Sequence, residues 1–300
     1  MTRFLEDVSS AFSLGVGYEP QPQAASFSTD AVRGYPLDLT AKTTVANAHN
    51  GSALPPADLA QLALGWWERR LAGEDHATAQ FERICAELEQ QAERQDGHLV
   101  WPYTMSVPKY KTEAPWYSAM AQGQIASVFT RAYLATGRDA HAVTALEAVD
   151  PLIDRSVPGL VTETSDGPVL EEGSSEPPSH ILNGWMYALW GLWDVCLGLG
   201  DAAAGELFNA SAECLRKTLD RYDTGWWTRY SLYPHSVDDL AKPFYHRLHI
   251  NQIAVMHRLT GASDFADAAD RWAGYDRADR RARAVAHKAV FVLVTRRSFE

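Results

Sequence analysis

Four short segments of the chain repeat one pattern: a glycine, then an aspartate a few residues later, then an alanine-rich stretch. The glycines are Gly73, Gly137, Gly200 and Gly261, so successive copies lie 64, 63 and 61 residues apart. A glycine ends a helix without strain in a left-handed conformation, and an aspartate caps the next helix through its carboxylate. The pattern therefore predicts four helical hairpins, each with an aspartate as the N-cap of its second helix.

The helices on the two sides of each predicted turn differ in their hydrophobic pattern. Residues 179–199 are apolar on nearly every side and carry one formal charge, Asp194, as expected of an interior helix. Residues 203–219 are amphipathic, so we expect them on the outside. Four such hairpins predict an α/α toroid, complete or partial, over residues 55–300. Residues 1–54 show little periodicity, so we predict an irregular or β-containing lead-in that packs on the helices.

Charge and composition narrow the range of functions. The net charge of −11 argues against a general nucleic-acid binder, although a locally basic cleft would still allow an acidic polymer to bind. The three cysteines (Cys85, Cys196 and Cys214) lie at no metal-ligand spacing and indicate a reducing compartment without disulfides. We find no signal-peptide core at the N-terminus, and the apolar run 181–193 is too short to span a bilayer. We therefore expect a cytoplasmic protein without stable membrane insertion.

Long polar connections, rich in proline and glycine, link the predicted hairpins at residues 96–115, 157–178 and 222–243. Loops at one mouth of a rigid scaffold commonly carry binding and catalytic residues. Segments 114–131, 170–184 and 222–252 concentrate aromatic, amide, carboxylate and cationic side chains. Buried amides in the first segment need hydrogen-bond partners, and a substrate hydroxyl is one candidate.

Four sequence blocks in these segments resemble one known family. The blocks are PWYSAMAQGQ at residues 115–124, EE with PPSHILNG within 171–184, YDTG at 222–225, and YHRLHINQ at 245–252. In order and spacing they are similar to the C-terminal catalytic domain of the heparosan glucuronate 5-epimerase family, over about residues 101–272. The resemblance implies a helical α/α domain that converts D-glucuronate in heparosan-like chains to L-iduronate. It also implies tyrosines as proton carriers and no metal or other cofactor.

Two tyrosines of this chain match tyrosines of the family, and two other positions differ from the family pattern. Tyr230 and Tyr245 match family tyrosines. Gly173 stands where the family has a third tyrosine, and Tyr233 stands where it has an arginine. We hypothesise that Tyr245 and Tyr230 act from the two faces of the sugar ring, with Glu172 standing in for the group lost at Gly173.

Inversion at carbon 5 removes a proton beside a carboxylate, so a cation or donor must neutralise that carboxylate. The candidates are Arg229, His246, Arg247 and His249. Because tyrosine has an unperturbed pKa of about 10, we expect the adjacent cations to lower the pKa of Tyr245 and make it a base. The other predicted substrate-binding residues are Trp116, Tyr117, Gln122 and Asn183.

Several alternatives stay open. His246 and His249 have a spacing that could bind zinc on a helix, but no third ligand is signalled, so no metal is expected. A lyase on the same fold would begin with the same proton abstraction, and two mouth carboxylates would suit a glycoside hydrolase. The absence of the family tyrosine at Gly173 would be expected of a glycan-binding protein that has lost catalysis. The expected partner is an acidic polysaccharide, and a homodimer is left open.

The final stretch, residues 277–299, is strongly basic. We predict a terminal amphipathic helix and strand that pack on the body. A patch for polyanions or anionic lipid is the alternative.

Overall fold

The computed structural model describes residues 21–23, 26–45 and 54–297, and in these ranges the chain forms an α/α toroid. Each hairpin consists of an inner helix and a shorter outer helix that follows it. The hairpins are α1 (Pro56–Leu71) with α2 (Ala77–Gln91), α3 (Ala119–Thr136) with α4 (Asp139–Ile153), α5 (Leu182–Leu199) with α6 (Ala202–Thr218), and α7 (Pro243–Thr260) with α8 (Ser263–Ala273). A last helix, α9 (Ala278–Arg297), follows them. The predicted hairpins and fold class are confirmed.

The turns inside the hairpins follow the glycine part of the repeated pattern. Gly137, Gly200 and Gly261 end α3, α5 and α7 with φ of 67°, 75° and 72°, a left-handed conformation that favours glycine. The predicted aspartate caps were wrong at three of the four turns. Only the Asp201 carboxylate accepts a helix N–H, that of Ala204 at 2.7 Å.

The inner helices approach closely because small residues meet where they cross. A Cβ added to Gly123 of α3 would lie 2.6 Å from the Cα of Ala188 on α5, so a larger residue would push the helices apart. As predicted for an interior helix, α5 is buried along most of its length and includes Trp185 and Trp190. The outer helices α6 and α8 bury one face each.

Residues 26–35 pack into the end of the toroid that carries the glycine turns, and the following residues run along α1 to Lys42, which lies 3.5 Å from Asp58 in its first turn. Tyr35 is fully buried, and its backbone N–H donates to Glu68 of α1 at 2.6 Å. Arg131 of α3 donates to the Gly34 carbonyl at 2.9 Å. Residues 1–20 and 46–53 lie outside the described part of the chain, so the domain boundary after residue 54 stays a prediction.

The connections between hairpins lie at the opposite end and include short antiparallel strands. After α2, β1 (Glu93–Gln95) pairs with β2 (His98–Val100), and after α4, β3 (Val161–Thr164) pairs with β4 (Gly167–Leu170). The third connection, between α6 and α7, is held by isolated bridges such as the one that joins Arg229 and Leu240. Together these connections form the mouth of the toroid.

The C-terminal helix α9 packs on this mouth. Its Ala284 belongs to a small apolar cluster with Trp227 and Leu240, and Lys288 and Phe291 are buried. The helix continues to Arg297, so the strand predicted in this stretch was wrong for the residues that the structure describes. Within the same ranges, no helix is long and apolar enough to cross a membrane.

Candidate active site

The third connection fixes Tyr230 at the toroid mouth. Its backbone N–H donates to the Asp239 carbonyl at 2.7 Å, and its own carbonyl accepts from the Leu182 N–H at 3.1 Å. Because Leu182 begins α5, Tyr230 is tied to the start of a buried inner helix. Its side chain is 9% exposed and lines a cavity at the mouth.

Tyr245 lies in the first turn of α7, which begins at Pro243, where the fixed φ of proline suits the first helical position. Its ring packs edge to face against Tyr230, with 4.8 Å between ring centroids, and a hydrogen bond joins the two side chains. The two predicted catalytic tyrosines are therefore in direct contact. The hypothesis that they act from opposite faces of a sugar ring stays a prediction.

Glu172 follows β4 and completes the cluster. The Tyr230 hydroxyl donates to Glu172 Oε1 at 3.5 Å, and the Asn183 amide donates to Oε2 at 3.3 Å. Burial raises the pKa of Glu172 to about 7, although Lys109 and these two donors favour the ionised form. A carboxyl with a pKa near neutrality is well matched to accepting a proton.

The pKa values of Tyr230 and Tyr245, in contrast, lie far above neutrality. Burial and the nearby Glu172 raise the pKa of Tyr230 well above its usual value and that of Tyr245 to about 12. The expectation that neighbouring cations lower the pKa of Tyr245 was wrong. Both phenols therefore keep their protons at neutral pH, as a proton donor must.

The two predicted histidines are fully buried and lie outside the lining of the cavity that contains Tyr230. The His246 ring stacks on Trp227, and its nitrogens contact Thr228 Oγ1 at 2.8 Å and the Trp272 carbonyl at 3.1 Å. His249 Nδ1 lies 3.3 Å from the same hydroxyl. Burial lowers the pKa of His246 to about 4 and that of His249 far below its usual range, so both rings are neutral. Neither ring therefore carries the positive charge that would neutralise a carboxylate.

The two predicted arginines face other carboxylates. Arg229 makes two bonds to Asp238, at 3.1 and 3.0 Å. Arg247 lies 4.0 Å from Asp276, which precedes α9. None of the four predicted candidates for neutralising the substrate carboxylate lines the cavity that contains Glu172 and Tyr230, and their role in binding stays a prediction.

The remaining predicted contact residues divide into two groups. Trp116 lines the cavity and stacks on Tyr103 with 4.1 Å between ring centroids, and Asn183 orients Glu172 as described. Gln122 is fully buried and donates to two backbone carbonyls, at 3.0 and 2.8 Å, so it joins parts of the scaffold. Tyr117 lies apart from the cavity, with its hydroxyl 3.4 Å from Gln95.

Gly173 lies directly against the Trp116 ring. A Cβ at this position would lie 3.1 Å from the Trp116 ring, tighter than ordinary packing. Trp116 therefore occupies the volume next to Gly173, and a tyrosine there would require the indole to move.

The cavity itself has a volume of about 80 Å³. Its lining includes Lys109, Tyr110, Trp116, Glu172, Gly173 and Tyr230. Sequence reasoning missed Lys109 and Tyr110, which follow Pro108 in the connection between α2 and α3. Their one sequence signal is an aromatic residue beside a lysine within a polar loop.

A second group missed from the sequence surrounds the buried carboxylate of Asp239. Tyr110 donates to it at 2.7 Å and Ser231 at 3.2 Å, and Lys288 of α9 forms a direct ion pair with it. Lys109 lies 4.0 Å away. Burial tends to raise the pKa of Asp239, but the two lysines hold it at about 2, whereas burial lowers the pKa of Lys288 to about 8. Among the described residues, no group of three histidine, cysteine or acidic side chains is placed to hold a metal.

Comparison with known proteins supports both the toroid fold and the family resemblance of the four sequence blocks. A D-glucuronyl C5-epimerase of Caenorhabditis elegans is 31% identical over 192 residues, which are 58% of this chain and 31% of that protein. An uncharacterised protein of Methanocaldococcus jannaschii is 24% identical over 205 residues, which are 66% of this chain and 64% of that protein. The chain thus spans less than two thirds of the length of either relative.

A solved structure of a UGL variant with dGlcA-Glc-Rha-Glc superposes with a TM-score of 0.53 at 11% identity, covering 91% of this chain and 83% of that one. At this identity the likeness shows the fold alone. The family described as D-glucuronyl C5-epimerase C-terminus matches residues 95–274. That match covers more than half of the sequence and includes Glu172, Tyr230 and Tyr245, so the chain belongs to the D-glucuronyl C5-epimerase C-terminal family.

Proposed function

We propose that this protein is an isomerase that inverts carbon 5 of D-glucuronate residues in a heparosan-like polysaccharide and gives L-iduronate. Membership of the C5-epimerase family supports a uronate epimerase in general. The contact of Glu172 with Tyr230, which in turn packs on Tyr245, is the observation that carries the proposal. This contact places a carboxyl that can accept a proton, Glu172, next to two protonated phenols, Tyr230 and Tyr245.

The reaction needs a base on one face of the ring and an acid on the other. We assign the base to Glu172, which takes the carbon 5 proton and leaves an enolate-like intermediate. The Tyr230–Tyr245 pair then returns a proton to carbon 5 from the other face. The 3.5 Å bond between Glu172 and Tyr230 is at the weak limit for a hydrogen bond, so an entering sugar ring separates the two groups at little cost.

The return of the enzyme to its starting state is part of the same assignment. After one turnover Glu172 holds an extra proton and the tyrosine pair lacks one. Transfer along the Glu172–Tyr230 contact restores both groups once the product leaves. No redox step or co-reactant is required.

Deuterium exchange tests the function directly. Unsulfated heparosan oligosaccharides are incubated with the protein in heavy water and followed by proton NMR for loss of the carbon 5 proton and growth of iduronate signals. We expect Glu172→Gln and Tyr245→Phe to slow exchange by about 10²–10⁴-fold. Tyr117→Phe serves as the matched control, because that tyrosine lies apart from the cavity, and it should exchange at the unaltered rate.

Two results would end the proposal. One is the absence of carbon 5 exchange with heparosan and related uronate polymers. The other is growth of ultraviolet absorbance from an unsaturated uronate, which marks a lyase that expels the 4-linked sugar. The proposed substrate is an acidic polysaccharide of the cytoplasm, and exchange measured on a panel of uronate polymers would define it.

A further inference from the structure

The proposed reaction leaves one requirement unmet by the residues predicted from the sequence. The substrate carboxylate must be neutralised, yet neither Arg229 nor Arg247 lines the cavity that contains Glu172 and Tyr230. His246 and His249 are buried and neutral. We propose that Lys109 binds the carboxylate of the reacting uronate and stabilises the charge that develops during proton removal; this inference rests on the proposed function.

The position of Lys109 fits that role. Its ammonium lies 5.2 Å from the centre of the Tyr230 ring and 4.5 Å from that of Tyr110. It lines the same cavity as Glu172 and, within the described residues, is the one basic side chain in that lining. A sugar whose carbon 5 lies between Glu172 and Tyr230 therefore has its carboxylate within reach of this ammonium.

The loop that carries Lys109 is held firmly. The Val107 N–H donates to the Thr112 carbonyl at 2.8 Å, and the Tyr110 N–H donates back to the Val107 carbonyl at 3.0 Å. The Tyr110 hydroxyl is anchored on Asp239. Preorganised charge of this kind stabilises a developing anion without a reorganisation cost during the reaction.

The charges around Asp239 leave Lys109 available. Asp239 carries one negative charge, and the buried Lys288 forms a direct ion pair with it. Lys109 lies farther off, at 4.0 Å, and its side chain is 38% exposed. Two lysines thus share Asp239, and Lys109, the more exposed of the two, faces the cavity that it lines together with Glu172.

The departure at Tyr233 agrees with this assignment. The resemblance places a family arginine there, but the Tyr233 ring packs against Tyr110 with 5.5 Å between ring centroids. Lys109 supplies a positive charge to the same region from a different connection. A lysine offers a compact point charge in place of the planar fork of an arginine, so it neutralises a carboxylate without two-point geometry.

The test compares Lys109→Met, Lys109→Arg and the matched control Lys111→Met, which changes an exposed lysine two residues away. Carbon 5 exchange is measured in heavy water on glucuronate oligosaccharides and on their methyl esters. On the acid, Lys109→Met should lower kcat by about 10²–10³-fold, the usual effect of removing one stabilising donor. Lys109→Arg should retain more activity than Lys109→Met, and the control should match the unaltered protein.

The methyl ester separates carboxylate binding from a structural role. Esterification removes the charge, so the unaltered protein and Lys109→Met should exchange the ester at similar rates. Equal slowing on acid and ester, or no slowing on the acid, would overturn the assignment of Lys109 while leaving the proposed function intact. Failure of the unaltered protein to exchange any uronate overturns the proposed function and this inference together.

Discussion

Two buried ion pairs lie at opposite ends of the toroid, and they differ in how fully their charges are matched. Near the glycine turns, Arg131 of α3 donates through both terminal nitrogens to the two oxygens of Asp194 on α5. Arg131 also donates to the carbonyls of Ser127 and Gly34, each at 2.9 Å. One anion meets one cation there, and both side chains are almost wholly excluded from solvent.

At the mouth, Asp239 faces two lysines instead of one. Lys288 is buried with it, whereas Lys109 reaches the cavity beside Glu172. The closed pair, Arg131 with Asp194, joins two inner helices and the lead-in. The open group, Asp239 with Lys288 and Lys109, extends through Lys109 into the cavity that contains Glu172. The comparison indicates that the closed pair is structural, whereas the open group joins a structural ion pair to a lysine that lines the cavity.

Removing the arginine of the closed pair should have the largest effect on stability. Arg131→Met leaves Asp194 buried without its cation, so we expect a loss of about 3–5 kcal/mol in the free energy of unfolding, measured by urea denaturation. The control is Arg83→Met, which removes an exposed pair with Glu87 and should cost less than about 1 kcal/mol. Carbon 5 exchange by the folded fraction should not change. Equal losses in the two variants would contradict the comparison.

Removing the buried lysine of the open group should affect both stability and activity. In Lys288→Met the Asp239 carboxylate keeps Lys109, so we expect a smaller loss of about 1–3 kcal/mol in unfolding free energy. Lys109 then becomes the counter-charge of Asp239 and is less available to a substrate, so kcat/KM should fall about tenfold, or about 1.4 kcal/mol. Lower stability with an unchanged kcat/KM would show that the open group is structural as well.

The pH dependence of carbon 5 exchange tests the role of Glu172, the carboxyl that lines the cavity together with Lys109. Burial raises the pKa of Glu172 to about 7, and the base must be ionised, so kcat/KM should rise as the pH rises through about 7. The Asn183 amide favours the ionised form, so Asn183→Ala should move the midpoint upward, by up to about one pH unit. A midpoint near the ordinary value for glutamate, or one unmoved by the substitution, would argue against Glu172 as the base.

The sequence predicts the scaffold well because the hairpins depend on local chemistry. Gly137, Gly200 and Gly261 mark turns whose backbone conformation favours glycine, and the apolar residues of α5 indicate an interior helix. The blocks around Glu172, Tyr230 and Tyr245 also come together as expected. Each of these features is set by neighbouring residues or by a family motif.

The charges of the site could not be predicted in the same way. His246 and Arg247 adjoin Tyr245 in sequence, but successive residues on a helix point in different directions, and the two side chains face Thr228 and Asp276. Lys109 belongs to a connection more than 100 residues upstream of Tyr230, and Lys288 belongs to the last helix. Only the closure of the toroid brings these lysines to one carboxylate.

The smallest effect that we predict concerns the helix caps at the end of the toroid that carries the glycine turns. Asp201 caps α6 through a 2.7 Å bond to the Ala204 N–H, so Asp201→Ala should lower the free energy of unfolding by about 1 kcal/mol. Asp139 stands after the equivalent turn but lies inside the first turn of α4 and makes no capping bond, so Asp139→Ala should cost less than half as much. Urea denaturation of both variants measures the difference, and carbon 5 exchange below the unfolding transition should be unaltered in each. Because the turns and the mouth lie at opposite ends of rigid helices, a fall in exchange without loss of folded protein would show that the two ends are coupled.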